Sequence, residues 1–409
     1  MDSRKRQGLL ESHTTRQAGA LTSLYEVGPL RLQRRSLKTV RAYVSRANLR
    51  HNVGELKKYC GKDVMLWPVV KADGYGHQSR IVVSCLNDQV EGFVVSTIEE
   101  AEQIYPFIGG KVILITCPLF AGMDQQLIRL AQVRGFHCTV CSFEALRYAG
   151  RFLRAAEPQL NVHLKIDTGM GRIGCRGGDE QLLLQAVAQN NKLHLRGVYT
   201  HFATADDNDL TYAYEQLKVF QEFLVRSGLD RQESIIKHAC NTSAALRMPD
   251  ARYDMVRCGI GLYGYRNCGA ELSEPLDLRG VLRLEAPLVQ VKAIRAGQSC
   301  GYGRSFIAQR DMVIGIIPMG YADGLFRNLS NRAVMRLGQY DLPVIGRICM
   351  DFTIIDLSKL ADPAEGMMVT VIDDDKTSSC NIASLAQLAG TVPYEMFTAI
   401  GNRIKRELV

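Results

Sequence analysis

The chain lacks most of the features that make a protein class easy to read. No apolar run reaches the roughly 18 residues a membrane-spanning helix needs. Leu21 to Leu30, the most apolar stretch near the N-terminus, is short and broken by Glu26, Gly28 and Pro29, so a secretory signal is not expected. No Gly-x-Gly-x-x-Gly follows the first predicted strand, which removes the dinucleotide fingerprint of an open doubly wound sheet. Cys138-x-x-Cys141 has no second pair to complete a zinc site and lies in an apolar, strand-like run, so it reads as core, and no metal centre is expected. The body of the chain has no basic–aromatic pattern of the kind that tracks nucleic acid. Internal repeats are absent.

What is present is enough for a large core. At 409 residues the chain should hold about two domains. A composition of 46% hydrophobic and 22% charged residues is ordinary for a soluble enzyme. Its twelve cysteines are expected as reduced thiols in a cytoplasmic protein. The net charge of +8 is uneven: residues 1–41 hold nine Lys/Arg against three Asp/Glu. The basic balance therefore describes a tail over residues 1–38, expected to be poorly ordered, more than the folded body.

Apolar runs of strand length recur after the tail: Met65–Val70, Gly92–Ser96, Val112–Thr116, Phe136–Cys141, Val162–Ile166, Gly197–His201, Ile235–His238 and Met255–Cys258. Segments of helical spacing lie among them, including Leu49–Cys60, Ile98–Phe107, Gln126–Arg134, Phe143–Ala155, Gln181–Gln189 and Tyr212–Leu224. Eight strands alternating with helices predict an α/β fold, a (β/α)8 TIM-like barrel over 39–280, with a doubly wound sheet as the alternative. Beyond residue 280 short alternating strands predict a smaller, mainly-β domain over 281–409: Leu288–Ile294, Met312–Pro318, Ala333–Leu337, Leu342–Ile345, Phe352–Leu357 and Met368–Ile372. Helices are expected at Ile382–Leu388 and Tyr394–Arg403.

Unusual residues gather at the C-terminal ends of the barrel strands, where barrel enzymes place their chemistry. Lys71 follows the first strand, directly after an apolar run. Lost hydration lowers such an amine toward neutral pKa, which suits a carbonyl nucleophile or a general base. Thr242 and Ser243 after the seventh strand, and Gly259-Ile260-Gly261 after the eighth, offer hydroxyls and closely approachable amides for a phosphate. Tyr75 adds a phenol. Lysine plus phosphate cradle implies pyridoxal 5'-phosphate. Taken singly, each of these residues is better explained as a turn or a salt bridge.

Four blocks resemble the alanine racemase family: Val69–His77, His163–Gly174, Thr200–Asp206 and Asp254–Gly264. Gly301-Tyr-Gly303, Pro318–Gly324 and Gly346–Asp351 continue the likeness in order toward the C-terminus. The resemblance implies a barrel plus β-domain and a cytoplasmic homodimer with shared active sites. The implied activity is racemisation of alanine, supplying D-amino acid for peptidoglycan. Lys71 matches the lysine that holds the cofactor and serves as one base. Tyr302 matches the second base, supplied by the partner subunit. The resemblance places His201 beside cofactor and tyrosine, and Arg257 facing the pyridine nitrogen. Arg172 and Met350 match substrate contacts, and Tyr321 a supporting position. Lys165 matches a lysine the family often carries as a carbamate.

One departure stands out. Where the family usually has a tyrosine near the C-terminus, this chain has Asn402. An amide there would admit a hydroxymethyl side chain, so a serine or dual alanine/serine racemase is the alternative activity. A basic amino-acid decarboxylase would carry an acidic residue in place of Arg257. A non-catalytic pyridoxal-phosphate-binding protein would resemble the barrel alone.

Overall fold

Parallel strands that are buried on both faces need apolar side chains at nearly every position. The barrel strands obey this: β3 is Gly92–Val95 and β5 is His137–Val140, and every residue of both is buried. The computed structural model describes residues 39–267 and 272–409; the basic tail expected over 1–38 lies outside the described residues. The first strand described is β1 (Arg41–Val44). The barrel then runs β2 (Met65–Leu66), β3, β4 (Val112–Pro118), β5, β6 (Leu160–Lys165), β7 (Leu193–Tyr199), β8 (Ile236–His238) and β9 (Met255–Val256).

Strands β3 to β8 pair in sequence order, all parallel, and β2 pairs with β9. Backbone bonds from Val70 N to Val94 O and from Val94 N to Pro68 O, both 2.8 Å, join β2 to β3. Asp254 N to Lys237 O (3.1 Å) and Arg257 N to Cys240 O (3.0 Å) join β8 to β9 and close the ring. Trp67, Val94, Leu114 and Met255 form a buried cluster contributed by four segments of that ring. Helices cover the outside. The helix Arg46–Cys60 starts at Ser45, whose hydroxyl accepts from Asn48 N, and buries Leu49, Val53 and Leu56.

The C-terminal region is mainly β: β10 (Leu282–Pro287), β11 (Gln290–Ile294), β12 (Ser299–Cys300), β13 (Phe306–Ile307), β14 (Met312–Ile317), β15 (Val334–Leu337), β16 (Tyr340–Pro343), β17 (Thr353–Asp356), β18 (Met368–Ile372) and β19 (Lys405–Leu408). One six-stranded sheet has the order β16-β15-β18-β10-β1-β19, and β11-β14-β17 form another. Strand β1 thus belongs to the C-terminal sheet, although it lies within the segment expected as barrel. The strand expected over Leu288–Ile294 starts two residues later as β11, and β10, which precedes it in a different sheet, was not expected. The helix expected over Tyr394–Arg403 stops at Ala399, because the chain turns there into β19, which pairs parallel with β1. The helix expected over Phe143–Ala155 ends at Gly150, and Ile98–Phe107 divides into a helix to Ile104 and a 3-10 turn containing Pro106.

Gly197 on β7 has no room for a side chain. A Cβ there would sit 2.4 Å from His163 Nδ1 and 2.8 Å from Ile236 O. Gly197→Ala is expected to destabilise by about 3 kcal/mol through overpacking. Gly54→Ala, on the open face of the first helix with nothing within 4 Å, should instead stabilise by about 1 kcal/mol. Denaturant midpoints of the two variants check both signs.

Candidate active site

The chain leaves β2 through Val69 and Val70 and enters a run of left-handed residues. Ala72, Asp73, Gly74, Tyr75 and Gly76 all have φ between 51° and 75°. Three are not glycine, and each of those costs about 1 kcal/mol or more. Surrounding bonds hold the run in place. Glu100 accepts from Ala72 N at 2.7 Å and also from Ser96 N at 2.7 Å. Asp73 accepts from Ser79 N (2.8 Å) and Ser79 Oγ (3.0 Å). His77 Nδ1–H donates to Tyr75 O at 2.9 Å. The result carries Lys71 and Tyr75 to the wall of one cavity.

That cavity, of about 540 Å3, sits at the C-terminal ends of the barrel strands. Lys71, Tyr75, Lys165, Arg172, His201, Thr242, Arg257, Gly259 and Ile260 all line it. Among the described lining residues Glu395, at the rim, is the one carboxylate, and it already accepts from the Thr391 hydroxyl. Four basic side chains around so little negative charge make a site for an anionic ligand.

On one side Thr242 Oγ1 accepts from Gly259 N (3.0 Å) and Gly261 N (3.4 Å), which draws the two strand-end loops together. A Cβ on Gly259 would lie 2.5 Å from the Tyr75 hydroxyl oxygen, so backbone and phenol approach as only glycine allows. With the Gly259 and Gly261 amides held by Thr242, the Thr242 hydroxyl hydrogen, the Tyr75 phenol and the Ile260 amide are the donors that fit a phosphate.

Arg257, at the end of β9, is buried among neutral acceptors. Its NH2 donates to Thr200 O and Ala239 O, both at 2.9 Å, and to His201 Nδ1 at 3.3 Å. Its NH1 donates to His238 Nδ1 at 2.6 Å. A guanidinium never accepts, so His238 Nδ1 is bare and its proton is on Nε2. Nε2–H then donates to His163 Nδ1 at 2.9 Å, and His163 Nε2–H donates to His137 Nδ1 at 2.9 Å. Three neutral histidines from β8, β6 and β5 thus line up behind the arginine. His163 reaches His238 past β7 where Gly197 has no side chain. Burial holds all three far below the ordinary imidazole pKa, His137 at about 3. The same reasoning places the His201 proton on Nε2, and burial together with Arg257 keeps that ring neutral. The Tyr199 ring stacks on His238 at 4.6 Å and lies under both Lys165 Nζ (5.4 Å) and the Arg257 guanidinium (5.2 Å).

Burial lowers the Lys71 amine, the Arg172 charge lowers it further, and Glu100 opposes them. Lys165 falls to about 8, through burial first and then Arg257 and Arg172. Arg172 comes from the loop after β6. There Asp167 accepts from Gly169 N (3.1 Å) and Gly171 N (3.0 Å). Gln216, buried on the helix Thr211–Ser227, ties that loop to the next by donating to Thr168 Oγ1 and to His201 O and accepting from Ala203 N.

Other expected site residues lie elsewhere. Ser243 is buried behind the cavity wall. Tyr302 is 69% exposed, and Met350 and Tyr321 are exposed on the same C-terminal region. Asn402 is exposed, and none of these four lines the cavity. Residues that sequence reasoning passed over are Tyr394, Tyr199, Gln216 and the three histidines. Tyr394 sits in the cavity wall with its ring 5.8 Å from that of Tyr75. The histidines occupy strand positions where a polar residue interrupts an apolar run, the one signal available for them.

Fold and cavity define a barrel enzyme built for lysine chemistry on an anionic ligand. Comparison with known proteins narrows this. Residues 44–267 match the family model "Alanine racemase, N-terminal domain", and residues 281–408 match "Alanine racemase, C-terminal domain". Alanine racemase of Streptococcus equi subsp. equi is 36% identical over 359 residues, 88% of this chain and 95% of that protein. The alanine racemase of Lactococcus lactis strain IL1403 is 33% identical over 365 residues, 89% and 96% of the two chains. The crystal structure of alanine racemase from E. faecalis superposes with a TM-score of 0.83 at 29% identity, covering 91% of this chain and 98% of that one. This chain belongs to the alanine racemase family.

Arg172→Leu removes a cation facing Lys71, so the Lys71 pKa should rise toward that of an ordinary lysine. The pH profile of Lys71 reductive alkylation should move to higher pH. An unchanged profile, or one moved to lower pH, would show that Arg172 does not act on the amine.

Proposed function

We propose that the protein is a cytoplasmic, pyridoxal-phosphate-dependent alanine racemase that works as a homodimer and supplies D-alanine for peptidoglycan. The observation that carries this is the buried Lys71 amine, depressed below the usual lysine pKa, in a cavity whose Thr242–Gly259–Ile260 wall and Tyr75 phenol suit a phosphate. Bound there, pyridoxal phosphate would supply an electron sink that acidifies the α-hydrogen of an amino acid.

The residues have these parts. Lys71 holds the cofactor and then takes or returns the α-proton on one face; its lowered pKa brings a base into range near neutral pH. Arg257 would bring its charge to the ring nitrogen of the bound cofactor and keep that nitrogen unprotonated. The sink would then be weaker, which would favour proton return over transamination. Racemisation needs a second base on the opposite face, since one group cannot reach both without swinging. Tyr302 fits this part when a second copy of the chain brings it in. Its exposure, with Tyr321 at 43%, Met350 at 53% and Phe352 at 48%, supports a surface made for another subunit. His201 Nε2–H, oriented by Arg257, would then stabilise a phenolate. Eleven free cysteines among the described residues support a reducing compartment.

Lys165 sits among Arg172 and Arg257, with the Asp167 carboxylate occupied by loop amides. Its neutral amine can add to carbon dioxide, losing a proton and giving a carbamate. That exchange turns a third repelling cation into an anion that holds Arg172.

The first test offers L-alanine and L-serine separately to purified protein with pyridoxal phosphate and measures chiral products. D-alanine should be in large excess; dominant D-serine would make the protein a serine racemase whose preference is set by the cavity wall rather than by the exposed Asn402. Neither product from protein that still holds the cofactor would leave only a binding function. Tyr302→Phe should lower kcat by about 100-fold or more while cofactor binding stays intact. Full activity in that variant would remove the two-base assignment.

A further inference from the structure

The left-handed run that carries Lys71 is braced from the far end of the chain. Arg406, on β19, donates from Nε to Gly76 O at 2.9 Å. Its NH1 donates to Gly401 O (2.7 Å) and Ile404 O (2.6 Å), and its NH2 to Ile400 O (2.7 Å). One planar guanidinium therefore ties four backbone carbonyls together, three from the C-terminal turn and one from the Lys71 loop. Gly76 itself has no freedom to shift toward that turn: a Cβ there would lie 2.1 Å from Phe397 O.

The same turn carries a second brace. Arg403 pairs with Asp323 at 3.0 Å and with Asp351 at 2.9 Å. Asp351 directly follows Met350, and Asp323 lies two residues after Tyr321. Gly401 N donates to Asp323 O at 3.1 Å. A strained run persists only where its surroundings over-determine it. Most restraints on this run come from the barrel, through Glu100 and Asp73; Arg406 is the side-chain bond that comes from the C-terminal sheet.

We propose that Arg406 is a positioning residue for Lys71, fixing the left-handed loop through the Gly76 carbonyl, and that the turn Ile400–Arg406 couples this loop to the loops bearing Tyr321 and Met350. The catalytic consequence rests on the racemase reading above; the effect on the loop does not.

The experiment compares the holoenzyme with Arg406→Ala and Arg406→Lys. Arg406→Lys keeps the charge and the aliphatic stem but loses the fork, and serves should the alanine variant fail to fold. Amide hydrogen exchange should quicken by about tenfold or more over residues 72–79, while the helix Thr211–Ser227 stays unchanged. Trapping of added pyridoxal phosphate on Lys71 by borohydride, read as the mass shift of its peptide, should slow in the cofactor-stripped variants. The kcat for alanine should fall about 10- to 100-fold, with KM changed less than about threefold. Unchanged exchange in the loop overturns the proposal whatever the activity. So does faster exchange spread evenly over the whole barrel, which would mark a merely structural role. Loosened loop amides with normal trapping and kcat would refute the positioning of Lys71. A parent enzyme that does not racemise would defeat the functional reading alone, since exchange and trapping would still report on the brace.

Discussion

The site depends on holding positive charge at the mouth of an apolar barrel with almost no negative charge beside it. Removing a cation from water costs several kcal/mol unless hydrogen bonds replace the lost hydration. Arg257 meets this with carbonyls and imidazoles rather than a carboxylate. A carboxylate would have neutralised the cavity and cancelled its attraction for phosphate and amino-acid carboxylate. Neutral acceptors satisfy the N–H groups and leave the field in place. Burial first, and then that field, lower the pKa of Lys71 and Lys165, which is what makes their amines useful.

The neutral acceptors must themselves be kept neutral and turned the right way. A lone buried imidazole has two tautomers, and one of them would point N–H at N–H against Arg257. In the chain from Arg257 to His137 every link donates in the same direction, so a single flip would break the bonds on both sides of it. Polarity set at the arginine is therefore carried through the barrel by three strands at once. The missing side chain at Gly197 makes this line possible, and the Tyr199 ring covers it. Much of the polar half of the barrel interior can be read as support for one guanidinium.

Local pattern reached part of this. Eight apolar runs, and a lysine directly after the first, were legible because buried parallel strands must be continuously apolar and a Lys-Ala-Asp-Gly sequence breaks that rule abruptly. The helix limits at Gly150 and Ala399 were not, since chain direction there is decided by what the next segment packs against. Strands β1 and β19 escaped for a similar reason. Each is four residues long, and Lys405–Leu408 carries no apolar alternation; they exist because they pair with each other and because β1 also pairs with β10. The histidine line was invisible, because nothing in His137, His163 or His238 alone says that three strands bring them to a common axis. Tyr302 was singled out through its motif, yet its exposed place in this chain could not be read from local spacing.

That exposure bears on how the two faces of a planar substrate are served. Barrel strand ends all rise from one side, so the bases they carry approach a bound molecule from below. A base for the other face has to come from material that overhangs the mouth. In this chain Val392 and, on the helix Pro393–Ala399, Tyr394, Glu395 and Thr398 line the cavity; Glu395 is engaged by the Thr391 hydroxyl and the Tyr394 ring packs against Tyr75. Tyr302, Tyr321 and Met350 are exposed and do not line their own cavity. A phenol from a second copy of the chain, as proposed for Tyr302, would meet the need without burying a second base in the wall where Arg172 already lowers the Lys71 amine. On that proposal electrostatics and geometry would act together: the barrel would crowd its cations on one face and leave the opposing base to another chain.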